Sequence, residues 1–273
     1  MTLFRVEDWD NAYANGANIA GGDRWPEAWV KSAAEFRAAM SEHAQLDIAY
    51  GGNAREKFDL FRPEGEARGL FVFVHGGFWL RLDKSYWSNL AAGGLAQGWA
   101  VAMPSYPLCP EVRVHDIARS VATAVTKAAG MVDGPIRLAG HSAGGQIVTR
   151  LVCSGTGLSG DVLKRIDRVM SISGVHDLRP MLRTAMNGSL HLDMEEARAE
   201  SPVLLEPVAD VPVICWVGAT ERSEFVRQNA LLANIWRGLG LATEAVEEPD
   251  RHHFDVIDGL ASALSPITRA LFS

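Results

Sequence analysis

A chain of 273 residues that is 48% hydrophobic and 22% charged can bury one large core, and α/β folds commonly use this whole length as a single domain. Its formal net charge of −7 and the lack of any Lys/Arg stripe argue against a nucleic-acid partner, which needs clustered cations to displace phosphate counterions. The N-terminus has no basic run followed by an apolar one, and no later apolar run reaches bilayer length, so a soluble cytoplasmic protein with no membrane partner is expected.

Residues 1–50 stand outside any strand-helix pattern and form an N-terminal extension that could cap a site. Strands are then predicted over 57–62, 70–74 and 99–103, each followed by Gly or Pro punctuation; the second is wholly apolar, as a strand buried on both faces must be. Over 116–129, Ile117, Val121, Val125 and Ala128 recur at spacings of three and four and line one helix face. Further strands are predicted over 136–139, 168–172, 211–217 and 243–247, with a helix over 224–239 and another closing the chain. This alternation predicts an α/β fold, with a mainly parallel central sheet flanked by helices in one domain spanning 1–273. The stretch 178–207, with Met181, Met186, Leu190, Leu192 and Met194, also interrupts the rhythm. An insertion at the carboxyl ends of parallel strands overhangs the ligand crevice, so a small cap over the site is expected there.

The three cysteines, Cys109, Cys153 and Cys215, are odd in number, widely spaced and set among apolar residues, which predicts buried reduced thiols. No HExxH or paired CxxC spacing occurs, so no metal site and no cofactor are expected.

Gly140-His141-Ser142-Ala143-Gly144 lies between a predicted strand and a predicted helix and fits the G-x-S-x-G nucleophile elbow of α/β-hydrolases. Its glycines let strand and helix pass closely while the turn exposes the Ser142 hydroxyl. His75-Gly76-Gly77-Phe78-Trp79 follows the strand over 70–74 and resembles an oxyanion loop. The backbone NH groups of Gly76, Gly77 and Ala143 would face a developing oxyanion, with Phe78 in place of a third glycine. Glu221, just after the strand over 211–217, sits where the acid of a triad belongs; Asp177, after the preceding strand, is the alternative. The base comes from His252 or His253, and only one of these neighbours can address Ser142.

These motifs resemble the α/β-hydrolase group that contains kynurenine formamidase (arylformamidase). The HGGxW signature corresponds to His75–Trp79 and the nucleophile elbow to residues 140–145. The segment Glu221-Arg222-Ser223-Glu224-Phe225-Val226-Arg227-Gln228 resembles the group's acid segment, and His253-Phe254 its HF pair. Similarity extends through Tyr50-Gly51, Tyr106-Pro107-Leu108-Cys109-Pro110-Glu111 and Ser173-Gly174, so it spans nearly the whole chain. The resemblance implies the α/β-hydrolase fold, a triad of Ser142, His253 and Glu221, and hydrolysis of a small formyl or acetyl ester or arylformamide. It departs at Pro107, where relatives often carry Arg, and at Glu221-Arg222-Ser223-Glu224-Phe225, where they carry a DSPEF-like form.

Trp79, Phe78 and Tyr106 are expected to bind the substrate, with Trp87 and Phe225 as further aromatic candidates and Arg81 or Arg222 as a carboxylate anchor. Two other readings compete: a general short-chain carboxylesterase or thioesterase, and, from a different class, a non-catalytic ligand-binding module on the same fold. The expected partner is a small molecule; the oligomeric state is not encoded in these motifs.

Overall fold

Alternation along the central strands decides the architecture. Leu70, Val72 and Val74 belong to one apolar core while Phe71 and Phe73 belong to another, so a single strand feeds two layers. The computed structural model describes residues 5–208 and 210–273. In chain order the regular elements are α1 (Trp9–Tyr13), α2 (Trp25–Ala39), β1 (Ala44–Ala49), β2 (Lys57–Phe61), β3 (Leu70–Val74), α3 (Ala91–Ala96), β4 (Ala100–Pro104), α4 (Val114–Ala129), β5 (Ile136–His141), α5 (Ala143–Leu151), α6 (Gly160–Arg165), β6 (Ile166–Ile172), α7 (Asn187–Leu190), α8 (Met194–Ala199), β7 (Val213–Gly218), α9 (Ser223–Gly238), β8 (Thr243–Glu248) and α10 (Pro266–Phe272).

The eight strands form one sheet in the order β1-β2-β4-β3-β5-β6-β7-β8. The β1-β2 and β2-β4 pairs are antiparallel and the remaining pairs parallel. Val121 and Val125 of α4, Ile147 and Val148 of α5, and Leu232 and Trp236 of α9 fill the core on one face. Trp29 of α2, Ala91 of α3 and Leu271 and Phe272 of α10 fill the other. The fold is that of the α/β-hydrolases, as expected. Strand β1 escaped the sequence pattern: it is an edge strand whose central residues Gln45, Leu46 and Asp47 are exposed, and its pairing shifts register between Gln45 and Ile48. Among the described residues, no helix is long and apolar enough to cross a membrane, and all three cysteines are free and buried.

The 178–207 stretch packs into the body of the fold. Met181, Leu190 and Ala197 are buried in the same core that α5 fills. A buried ion pair adds to that junction: Arg150 Nε on α5 donates to Glu200 Oε2 at 3.1 Å, and Gln146 Nε2 donates to the Glu200 carbonyl at 2.9 Å. Burial raises the Glu200 carboxyl above its ordinary range, and the Arg150 guanidinium opposes that rise. Removing one partner of such a pair leaves the other charge desolvated. Glu200→Ala is therefore expected to cost about 3–5 kcal/mol in urea unfolding. Asp161→Ala, which breaks the exposed pair with Lys164, should leave the midpoint essentially unchanged.

Candidate active site

Parallel strands point their carboxyl ends to one edge of the sheet, so the loops after β3, β5, β6, β7 and β8 meet there. Ser142 occupies the turn between β5 and α5 at φ 56° and ψ −117°, a strained conformation for an L residue. The turn needs its glycines for close approach: a methyl group on Gly140 would stand 2.1 Å from the Gly144 carbonyl oxygen, and one on Gly144 2.1 Å from that of Val74. Larger residues at either position would push β3, β5 and α5 apart.

His253 is buried in the turn after β8, with Nδ1 2.6 Å from Glu221 Oε2. The Glu221 side chain is wholly enclosed, and its second oxygen accepts hydrogen bonds from the Gly218 NH at 2.9 Å and the Ser173 hydroxyl at 2.5 Å. Phe225 and His141 pack on the His253 ring at centroid separations of 4.5 and 4.6 Å. His141 Nε2 donates to the His253 carbonyl at 2.9 Å. Burial, reinforced by neighbouring His253, holds the His141 imidazole well below its ordinary pKa, so it is neutral and carries its proton on that nitrogen. His75 is likewise neutral, its pKa pushed down to about 4 by burial.

Ser142 and His253 both border a cavity of about 420 Å³. Among the described residues, no hydrogen bond joins the Ser142 hydroxyl to His253, so the hydrogen-bonded chain runs from Ser173 and Gly218 through Glu221 to the imidazole. Hydrogen bonds between a nucleophile and its base commonly tighten only around substrate. Gly76 and Gly77 form the opposite wall; a methyl group on Gly76 would stand 2.9 Å from Ser142 Cβ. Among the described residues, the NH groups of Gly76 and Gly77 donate to no other group, and that of Ala143, the first residue of α5, has no preceding turn to bond.

The two alternatives weighed from the sequence lie elsewhere. His252 Nδ1 accepts from the Phe254 and Asp255 NH groups, and its ring meets Trp25 edge-on at 5.2 Å. Asp177 is engaged with Arg179 through two 2.8 Å contacts.

Three expectations about the pocket need correction. Trp79 lies wholly buried beneath the loop, donating from Nε1 to Gln146 Oε1 at 3.0 Å, because positive φ values at Phe78 (55°) and Trp79 (60°) turn the chain there. Tyr106 is also fully buried; its hydroxyl donates to the His75 carbonyl at 2.8 Å and its ring stacks on His75 at 4.2 Å. Neither borders the cavity, whereas Phe78 does. The third correction concerns the cap: among the described residues, none of 178–207 borders the cavity, and of the two segments read as possible caps it is the N-terminal extension that covers it, through Asn15, Gly16, Ala17, Gly22, Asp23, Pro26 and Trp29.

Trp87, Leu82 and Phe254 complete the apolar wall, and Arg81 also reaches the cavity. Arg222 instead donates to the Asn11 carbonyl, and Phe225 supports the His253 ring without bordering the cavity. The N-terminal cover matches the reading of residues 1–50 as a possible cap, but which residues form the wall was not legible, because residues 15–29 carry no catalytic pattern; the aromatic pair Trp25 and Trp29 was the available signal. Among the described residues, no group of three or more His, Cys, Asp or Glu is placed to hold a metal ion.

No established family profile matches the chain. Over 253 residues it is 26% identical to the kynurenine formamidase of Danio rerio, covering 89% of this chain and 85% of that protein. To the kynurenine formamidase of Drosophila melanogaster it is 28% identical over 98% of this chain and 97% of that one. A crystal structure of a candidate thioesterase from Silicibacter sp. tm1040 is 47% identical and superposes with a TM-score of 0.93, covering 97% of this chain and 99% of that one. Esterase B from Lactobacillus rhamnosis, at 16% identity and a TM-score of 0.67 over 91% of this chain and 90% of that one, shares the fold.

The geometry separates the two adjacent histidines. Turnover of a chromogenic acetate ester is expected to fall by at least about 10⁴-fold in His253→Ala and by less than about tenfold in His252→Ala, with circular dichroism verifying that both variants fold.

Proposed function

We propose that this chain, an α/β-hydrolase similar over most of its length to kynurenine formamidases, is a serine hydrolase removing a small acyl group, formyl or acetyl, from an aromatic amine or an activated alcohol. The observation that carries the reading is the 2.6 Å contact between His253 Nδ1 and Glu221 Oε2 on the wall of the cavity that Ser142 also borders.

In this reading Glu221 holds the imidazole in the tautomer protonated on Nδ1, leaving Nε2 free to take the Ser142 proton as the hydroxyl oxygen attacks the substrate carbonyl. The NH groups of Gly76, Gly77 and Ala143 stabilise the resulting oxyanion, and being fixed beforehand they need no reorganisation. His253 then gives its proton to the departing nitrogen or oxygen, which leaves an acyl group on Ser142. Water, deprotonated by His253, attacks the acyl carbonyl; the bond to Ser142 Oγ breaks, His253 returns the proton to that oxygen, and the group leaves as formate or acetate. Apart from substrate and water, each step uses only groups of the chain.

The cavity supports a small substrate with a flat leaving group. Phe78, next to Gly77, takes up space beside the reacting carbonyl and favours a short acyl chain, while Trp29, Trp87 and Phe254 offer aromatic faces to a ring. An aniline leaves more readily than an alkyl amine, so the same machinery serves formanilides and esters. A short-chain carboxylesterase or thioesterase is the second reading, favoured by the 47% identity to the candidate thioesterase.

Ser142→Ala is expected to lower kcat by about 10⁵–10⁶-fold and to abolish labelling by a fluorophosphonate probe; equal labelling of variant and wild type would remove Ser142 from the mechanism. On the wild-type protein, kcat/KM for N-formylkynurenine and p-nitrophenyl acetate should exceed that for long-chain p-nitrophenyl esters. The opposite order would replace the small-acyl reading with the general esterase one.

A further inference from the structure

We propose that Ser173 is a positioning residue of the reaction: its hydroxyl fixes the Glu221 carboxylate in the orientation that aims His253 at Ser142. This inference rests on the triad reading above and adds a residue to it.

Three observations carry the assignment. Ser173 Oγ donates to Glu221 Oε1 at 2.5 Å, and the Gly218 NH donates to the same oxygen at 2.9 Å, so Oε2 alone faces the imidazole. Ser173 is fully buried at the carboxyl end of β6 and holds φ 54°, in the left-handed region that costs a non-glycine residue energy. Its own NH donates to the Trp216 carbonyl on β7 at 2.7 Å, which ties the strained residue to the strand that leads into Glu221. A buried serine held in an unfavourable conformation with its hydroxyl on a carboxylate is a placed group, and strain of this kind collects at functional sites.

The chemical need follows from the length of the acid. Glutamate has one more rotatable bond than aspartate, so its carboxylate can swing unless a second contact pins it. The Ser173 hydroxyl supplies that contact from β6, the strand next to β7 in the sheet. A neutral donor is required: a carboxylate at position 173 would repel Glu221, and an apolar residue would leave Oε1 with one donor in a buried site.

The test is a double-mutant cycle on the full-length protein with p-nitrophenyl acetate. Ser173→Ala is expected to lower kcat by about 10- to 100-fold, the range for a lost hydrogen bond to a charged group, with KM changed less than about threefold. Ser173→Gly suits φ 54° better than alanine does, so it keeps the fold while losing the same kcat. In a Glu221→Gln background, Ser173→Ala should lower kcat by less than about twofold further, because no carboxylate remains to orient. If Glu221→Gln keeps wild-type activity, the triad reading itself fails. If Glu221→Gln is inactive while both Ser173 variants keep wild-type kcat, or if Ser173→Ala costs the same factor in both backgrounds, the positioning role is overturned and the triad stands.

Discussion

The rest of the site is built around the sharp turn that presents Ser142 at the end of β5. A residue at φ 56° and ψ −117° is unfavourable by roughly 1–3 kcal/mol, and it persists only where the surroundings allow no alternative. Here the Ser142 NH donates to the Ile172 carbonyl at 2.8 Å, and the NH of Gly145 donates to the Ser142 carbonyl at 2.9 Å. Gly140 and Gly144 bring β3, β5 and α5 within backbone contact. Since α5 is buried along its whole length, relaxing the turn would mean lifting a helix out of the core. The strain is local, but what holds it spans both strands and the helix.

Around that turn the protein keeps its buried polar groups electrically quiet. His75, His141 and His176 are all driven toward the neutral form by burial, the last to a pKa of about 3, so none of the three places an imidazolium near the site. The enclosed Glu221 is different: its two oxygens share three donors, from Ser173, Gly218 and His253. A desolvated carboxylate is tolerable only with such a set. The same donors restrict its orientation, so electrostatic satisfaction and geometric aim come from one arrangement.

The cavity is completed by a part of the chain that belongs to no strand-helix unit. Tyr13 donates to Glu224 Oε2 at 3.1 Å and accepts from Gln228 at 3.1 Å, and its ring meets Phe225 edge-on at 5.6 Å. Phe225 in turn packs on His253. The N-terminal extension is thus seated on the helix that supports the imidazole while its next residues, from Asn15 to Trp29, cover the pocket. The segment that covers the pocket and the ring that supports His253 are thus both held against α9.

Local rules make much of this legible in the sequence. Fully apolar runs such as Leu70–Val74 must be strands buried on both faces, and the spacing of Ile117, Val121 and Val125 must be a helix face, so the layered α/β architecture followed from periodicity. The sharp strand-to-helix turn at Ser142 was readable because its pattern is confined to five consecutive residues, and the placing of Glu221 at the end of β7 because it follows a recognisable strand. Choosing His253 over His252 drew on family resemblance, since adjacent residues in a loop share every local property; the fold separates them by pointing one ring at Glu221 and the other at Trp25. What bounds the cavity was decided by tertiary structure alone. The inward turn of Trp79, the stacking of Tyr106 on His75 and the use of residues 15–29 in place of 178–207 all depend on contacts between segments far apart in the chain. Periodicity and motifs report how a residue relates to its sequence neighbours, whereas a pocket wall is set by which distant surfaces are left after the core has packed.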